Sequence, residues 1–371
     1  VPRPRSRQQA VQHDLLAWYR QEQRDLPWRR TRDPYAIWIS EVMCQQTQVA
    51  TVIPHWERFL ARFPNVTALA EAPADDVLAL WSGLGYYARA RNLHRAAQAI
   101  VRDHGGVLPA DPEALGALPG FGPYTAGAVG SIALGLDVAL VDGNVARVFC
   151  RLEGWELGSE DSRARAWEIA PAWLPSGRAG DWNQALMELG ATICGPSSPS
   201  CQVCPVRAHC AAVRGGDPAR YPLPKVRRPR KVLRLAAGAI RKGGAVLLVR
   251  RAEEGLFGGL WGLPSLELEG ERPGQDGAVE LSRTLFGKPA APVRIGAARQ
   301  TLTHREVEVE VFELRGERPH LPEGSRWVTP PEMTSLGFSS LAVKVLRAAS
   351  VPVPDGHGRR GAVSNDQGSL F

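Results

Sequence analysis

No lysine occurs before Lys225, although arginine is abundant in that stretch. This withholds the usual side-chain amine for Schiff-base chemistry from more than half of the chain. There is also no signal peptide and no apolar run long enough to cross a bilayer, which points to a soluble, cytoplasmic protein with no membrane partner. Cysteines are scarce. Of six, four crowd between Cys194 and Cys210, while Cys44 and Cys150 stand alone. That distribution excludes a secreted disulfide framework and suits a ligand cluster in a reducing compartment. What is present is a 371-residue chain with 44% hydrophobic residues, enough for packed cores and too long for one ordinary domain. Its net charge of +7 and isoelectric point near 9.3 favour an anionic partner.

The first half reads as helices only. Gln8 to Arg24 is amphipathic, Arg24 to Arg30 is a loop carrying Trp28, and Pro34 to Phe63 has a helical pattern. Further short helices are expected at 112–118, 123–134, 143–152, 162–173 and 181–192. The stretch from Leu118 to Val148 organises this half. It opens with Leu118-Pro119-Gly120-Phe121-Gly122 and then Pro123, a two-glycine turn leading into a helix that closes near Gly135. Such a turn leaves backbone N–H groups facing outward, where an anion such as a phosphate can sit. Asp142, in Val141-Asp142-Gly143-Asn144, is placed to cap the next helix, and a cap alone would account for it.

Glu41 sits among Ile37, Trp38, Ile39, Val42 and Met43, just before Gln45-Gln46-Thr47-Gln48. A lone glutamate in a helix is ordinarily solvated. If this one faces inward, its pKa rises and it can carry a proton at neutral pH. Gly83-Leu84-Gly85-Tyr86-Tyr87, followed by Arg89, Arg91, Asn92 and His94, fits either a loop laying aromatics against bases or a plain helix–helix turn. The spacing Cys194-x6-Cys201-x2-Cys204-x5-Cys210 favours an iron–sulfur centre over zinc, which usually takes two C-x2-C pairs.

Val213 to Lys231 is a proline-rich linker ending in the basic run Lys225 to Lys231. Beyond it, Val232 to Ile240 and Ala245 to Arg250 read as a hairpin about Gly243-Gly244, and Arg305 to Leu314 alternates as a strand. Helices are expected near Gly277 to Phe286 and Ser339 to Ala349. From Ser350 to Phe371 the composition is that of a disordered tail.

The motifs SEVMCQQTQV, GLGYYARARNLH, LPGFGPYTAGA, VDGNVARV and the four-cysteine loop, in this order, resemble the helix-hairpin-helix base-excision DNA glycosylases, most closely the adenine DNA glycosylase family. The likeness runs from about Leu26 to Ala349. It implies an all-α helix-hairpin-helix glycosylase domain with a four-cysteine iron–sulfur loop over residues 1–212 and a basic linker at 213–231. A smaller α+β MutT-like (Nudix-fold) domain follows at 232–349, with the tail at 350–371.

The family's activity is removal of adenine mispaired with 8-oxoguanine or guanine in double-stranded DNA. An adenine inside a duplex must be flipped into a pocket before its glycosidic bond can be cut. The departing base needs a proton while the sugar gains cationic character, so one protonated and one ionised carboxyl are wanted. The resemblance casts Glu41 as the acid and Asp142 as the ionised partner, with Tyr124 and Asn144 assisting. Arg24, Leu26, Trp28, Arg29 and Gln184 would line the adenine pocket. Gln46, Thr47, Leu84, Tyr86, Thr303 and His304 would contact DNA around 8-oxoguanine. Gly120 and Gly122 would hold a phosphate, together with a monovalent or divalent cation. Cys194, Cys201, Cys204 and Cys210 would hold a [4Fe–4S] cluster, with Arg207 free for phosphate.

Endonuclease III-like relatives carry a lysine at position 124 and cut the strand; tyrosine there implies a monofunctional enzyme with little lyase activity. The second domain resembles a Nudix module, yet the helix at 277–286 offers only Glu280 to a metal, so nucleotide hydrolysis is not expected. Its role would be to read 8-oxoguanine at Leu302-Thr303-His304, where many relatives carry Phe-Ser-His. Gln367-Gly368-Ser369-Leu370-Phe371 is similar to peptides that dock bacterial sliding clamps. The reading is thus of a monomeric bacterial enzyme associated with the nucleoid. A lyase-active pyrimidine glycosylase, a non-catalytic damage-binding module and a nucleotide-pool hydrolase are the alternatives.

Overall fold

A computed structural model describes residues 6–224, 229–289, 291–317 and 319–354. The basic residues Lys225 to Arg228, most of the expected tail and the whole Gln367–Phe371 peptide lie outside the described residues. The described chain forms two compact units. One comprises 6–71 and 92–224, the other 72–91 and 229–354.

The first unit is helical because its segments combine apolar stripes with strong start signals. Ser6 and Gln9 form a reciprocal capping box at Arg7–Glu22. Asp33 accepts from the Tyr35 and Ala36 N–H groups, and Pro34 follows at the first position of Pro34–Cys44. Asp111 caps Pro112–Ala117, and Asp142 caps Gly143–Glu153, which ends on left-handed Gly154. The core gathers Leu15, Tyr19, Val145, Phe149, Trp173, Trp182, Leu186 and Leu189. Within it, Trp173 and Trp182 lie nearly parallel with centroids 6.4 Å apart.

Two helices differ from the sequence expectation. The 34–63 pattern is two helices, Pro34–Cys44 and Val49–Arg62, because Gln46 takes φ 55 and breaks the ladder. The expected 123–134 helix is regular only over Pro123–Ala128 and then widens into a π turn at Val129–Ala133. There Ser131 Oγ donates to the Gly127 carbonyl and receives the Asn183 amide, so a side chain competes with the helical bonding.

The second unit is built on a four-stranded mixed sheet. β1 (Lys231–Ala239) lies between β5 (Ser265–Leu268, antiparallel) and β7 (Arg305–Glu313, parallel), and β6 (Val293–Thr301) completes the order β5-β1-β7-β6. Alternation decides the faces. Val307, Val309 and Val311 join Leu235 and Ala237 against Leu341, Val345 and Leu346 of the helix Ser340–Ala348. Ala236 and Phe312 point the other way, onto Ala278, Leu281 and Leu285 of the helix Gly274–Phe286.

The expected hairpin about Gly243-Gly244 is confined to β2 (Arg241–Lys242) and the start of β3 (Ala245–Arg250). β3 pairs further with β4 (Trp261–Gly262) and β8 (Ser325–Val328) in a second small sheet. The long strand before the turn instead finds its partners in β5 and β7 on its two edges, while the helices Ser340–Ala348 and Gly274–Phe286 cover its two faces.

Residues 72–91 pack within this second unit. Tyr87 donates its hydroxyl to the Phe338 carbonyl at 2.6 Å, and Arg91 donates to the Gly258 carbonyl at 2.5 Å. Trp261 donates its indole N–H to Asp75 at 3.4 Å. Gly337 makes room for the short helix Ala74–Leu80, since a Cβ there would lie 2.7 Å from the Leu78 Cβ.

Candidate active site

Glu41 is 8% exposed, on the buried side of Pro34–Cys44. The Tyr124 hydroxyl donates to its Oε2 at 2.8 Å and reaches the Met187 sulfur at 3.6 Å. Burial raises the Glu41 pKa above the usual carboxylate range. The Tyr124 hydrogen bond and the Arg29 charge oppose that shift, and the Asp142 charge adds to it. Burial also drives the Tyr124 phenol well above its ordinary value, so the phenol keeps its proton.

Asp142 is half-buried at the head of Gly143–Glu153. Its Oδ1 accepts the Val145 N–H at 2.7 Å, and its Oδ2 accepts the Asn144 amide at 3.1 Å. Burial raises this carboxyl too, against those two hydrogen bonds and the Arg147 charge. Asp142 therefore has more partners that favour its ionised form than Glu41 has.

The capping network continues inward. Arg147 donates to Asn144 Oδ1 at 2.7 Å, to the Gly190 carbonyl at 2.9 Å and to the Cys194 carbonyl at 2.8 Å. One turn on, Arg151 donates to the Cys194 sulfur at 3.3 Å and to the Gly195, Pro196 and Tyr221 carbonyls. Gly190 permits this approach, because a Cβ there would lie 2.5 Å from the Asn144 Cβ.

Arg24 and Arg29 converge on Glu188, a carboxylate 1% exposed on the helix Ala179–Thr192. Arg24 Nε reaches Oε1 at 2.7 Å and Nη2 reaches Oε2 at 2.9 Å, while Arg29 Nη2 reaches Oε2 at 2.8 Å. The Arg24 backbone N–H also donates to Oε1. Burial alone would raise the Glu188 pKa, but the hydrogen bonds and charges of the two arginines outweigh it and hold the carboxyl at about 2. The Arg29 guanidinium also lies 5.4 Å from the Tyr19 ring centre.

Leu26 and Trp28 are buried, and Trp28 meets Trp56 edge-on at 5.9 Å. Gln184 is half-buried and donates back to the Gly180 carbonyl at 3.3 Å. Gln46 is exposed in left-handed conformation, Thr47 is half-buried, and the neighbouring Gln45 donates to Thr125. Gly120 has φ 77, and a Cβ on it would stand 2.6 Å from the Asn92 Cβ. Gly122 caps Pro123–Ala128.

In the second unit Leu84 is buried, whereas Tyr86 is 48% exposed with φ 48. The Tyr86 hydroxyl lies 2.7 Å from Thr303 Oγ1, joining the Gly83–Tyr87 turn to the tip between β6 and β7. Thr303 and His304 are exposed, and Leu302 packs against the core with its N–H bonded to the Arg305 carbonyl. The smaller leucine thus still anchors the tip.

Cys194, Cys201, Cys204 and Cys210 line one cavity, shared with Val148, Arg151 and Leu189. Among the described residues, no three His, Cys, Asp or Glu side chains gather tightly enough for a single metal ion. All four cysteines line the same cavity, and the buried Arg151 brings positive charge to the Cys194 sulfur. This donor set fits an anionic multi-iron centre.

Sequence reasoning missed Glu188, Arg147, Arg151 and Met187. Signals existed. Glu188 is four residues after Gln184 and so shares its helix face. Arg147 and Arg151 are also four apart, in the otherwise apolar stretch Val145 to Leu152.

Residues 39–172 match the HhH-GPD superfamily base excision DNA repair protein model, and residues 236–348 match a NUDIX domain. Adenine DNA glycosylase of Homo sapiens is 36% identical over 403 residues, covering 91% of this chain and 73% of the human protein. The Schizosaccharomyces pombe adenine DNA glycosylase is 31% identical, covering 90% of this chain and 88% of its own. Among solved structures, a thermostable thymine-DNA glycosylase superposes with TM-score 0.52 at 30% identity, over 56% of this chain and 97% of that one.

Proposed function

The chain belongs to the adenine DNA glycosylase family, a helical glycosylase domain followed by a Nudix-like domain, and from that premise we propose its finer specificity and mechanism. It is an adenine-specific DNA N-glycosylase of base-excision repair. On our reading it takes adenine mispaired with 8-oxoguanine or guanine and leaves the DNA backbone uncut. The observation that carries this is the pair of carboxyls with unequal partners: buried Glu41, bonded by the Tyr124 phenol, and half-buried Asp142, bonded by Val145 and Asn144.

The flipped adenine leaves when its N9–C1′ bond breaks. Glu41, whose burial favours the protonated form, gives its proton to N7, and Tyr124 holds that carboxyl in place. Asp142, steadied by Val145, Asn144 and Arg147, faces the developing sugar cation as the ionised partner. Water then adds to C1′ and its proton passes to the carboxylates, so the products are free adenine and an abasic sugar. Arg24, Leu26, Trp28, Arg29 and Gln184 form the base pocket. With Tyr124 in place of a lysine, and no lysine before Lys225, an imine-forming strand cut has no amine in this region.

The Tyr86–Thr303 hydrogen bond supports a lesion-reading role for that tip, where Thr303 and His304 stand exposed. Gln46 and Thr47 would complete the contacts around 8-oxoguanine. Glu280 is taken by Arg272 at 2.6 Å, which argues against a hydrolytic metal site there. The backbone at Gly120 and Gly122 would take a phosphate. A [4Fe–4S] cluster held by the four cysteines would order the loop that Arg147 and Arg151 grip. The Gln367–Phe371 peptide would dock a sliding clamp, a reading supported by sequence only.

The test is a single-turnover assay on duplexes carrying one adenine opposite 8-oxoguanine, guanine or thymine, resolved with and without alkali. Adenine loss from the first two, with strand breaks only after alkali, is the expected result. Breaks without alkali would overturn the monofunctional reading, and equal excision opposite thymine would overturn the mispair specificity.

A further inference from the structure

Glu188 is the one buried carboxylate of the site for which neither the mechanism nor the resemblance supplies a role. It accepts four hydrogen bonds from two arginines that come from a single loop. Those bonds occupy Arg24 Nε and Nη2 and Arg29 Nη2, and Arg29 Nη1 is taken by the Arg24 carbonyl at 3.0 Å. Arg24 Nη1 and Arg29 Nε make no protein hydrogen bond among the described residues. A planar guanidinium with one edge fixed presents the other edge in a set direction.

We propose that Glu188 is a positioning residue for excision: it fixes Arg24 and Arg29 as a rigid pair of donors for the adenine and partly offsets their charge beside the acid, Glu41. This rests on the assignment of Glu41 as the proton donor. The charged and titratable groups that face Glu41 are few. Tyr124 bonds it, the charges of Asp142 and Arg29 act on it, and Arg24 shares the Glu188 carboxylate with Arg29. Cys44 is one turn along its own helix. Of these groups, Arg29 is the cation that favours an ionised Glu41, and Glu188 is the anion bonded to Arg29. Without the carboxylate, the arginine field on Glu41 is unopposed and the acid loses its proton at lower pH.

The experiment is the single-turnover excision rate against pH, from about 5 to about 9, for the full-length enzyme and its Glu188→Gln and Glu188→Asp variants. Excision by the wild type depends on protonated Glu41 and so falls as pH rises through the Glu41 pKa. In Glu188→Gln the rate near neutrality drops about tenfold or more, and the falling limb moves about one unit to lower pH. Glu188→Asp keeps the charge, so its limb stays at the wild-type position even where the shorter side chain slows the reaction. Glu188→Asp also keeps the test alive if the glutamine variant does not fold.

A slower Glu188→Gln enzyme with an unmoved limb would reduce Glu188 to a structural support and overturn the proposal. So would a limb that moves equally in Glu188→Asp. Those failures differ from failure of the underlying reading, in which Glu41→Gln itself would retain the wild-type rate and limb.

Discussion

The two units bury different kinds of side chain. Among the described residues, the helical unit buries Glu41, Glu188, Arg147 and Arg151 as well as its apolar core. The second unit buries only serines among its polar side chains, at Ser82, Ser282 and Ser339. It carries exposed ion pairs along its sheet instead, where Arg299 pairs with Glu306 and Glu308, and Arg294 pairs with Glu310. Taking an ion out of water costs several kcal/mol, and buried charge is retained where something other than stability requires it. In the helical unit that requirement fits a glycosylase site, and among the described residues the second unit carries no buried charge that would ask for one.

The contrast can be broken at several points. The largest effect is expected from Asp142→Asn. Asparagine still caps Gly143–Glu153, so the fold should stand while single-turnover excision falls about 10³-fold. A stability loss large enough to explain the rate, seen in a thermal melt, would remove Asp142 from the chemistry.

Next is Phe312→Ala, which empties a fully buried site in the apolar core of the second unit. It should cost about 3–5 kcal/mol in denaturant unfolding of that unit. Tyr124→Phe is smaller, about tenfold in rate. The phenol stabilises ionised Glu41, so its removal raises the Glu41 pKa and moves the falling limb of the pH profile to higher pH. A limb that moves the other way would contradict the bond at 2.8 Å. Smallest of all, Arg299→Ala on the exposed sheet face should change stability by less than about 1 kcal/mol.

Much of the helical unit was legible because its signals are local. Asp33, Asp111 and Asp142 announce helix starts within three residues of the N–H groups they bind. Glu41 could be suspected from its apolar neighbours alone. What stayed hidden depends on distant approaches. Glu188 reads as an ordinary helix glutamate until the Arg24–Arg29 loop folds over it. The expected hairpin placed the strand Lys231–Ala239 but not its pairing, because its partners, Ser265–Leu268 and Arg305–Glu313, lie far along the chain. Nor could spacing place residues 72–91 beside Phe338, Gly258 and Trp261, a grouping made by contacts between segments far apart in the chain.

The central claim is that a buried, protonated Glu41 expels the adenine. Glu41→Gln tests it with two readings on one duplex bearing adenine opposite 8-oxoguanine: equilibrium binding, and single-turnover release of the base. The account predicts binding within about threefold of wild type and excision lower by about 10²–10⁴-fold. Excision near the wild-type rate, or a loss of binding that matches the loss of rate, would contradict it.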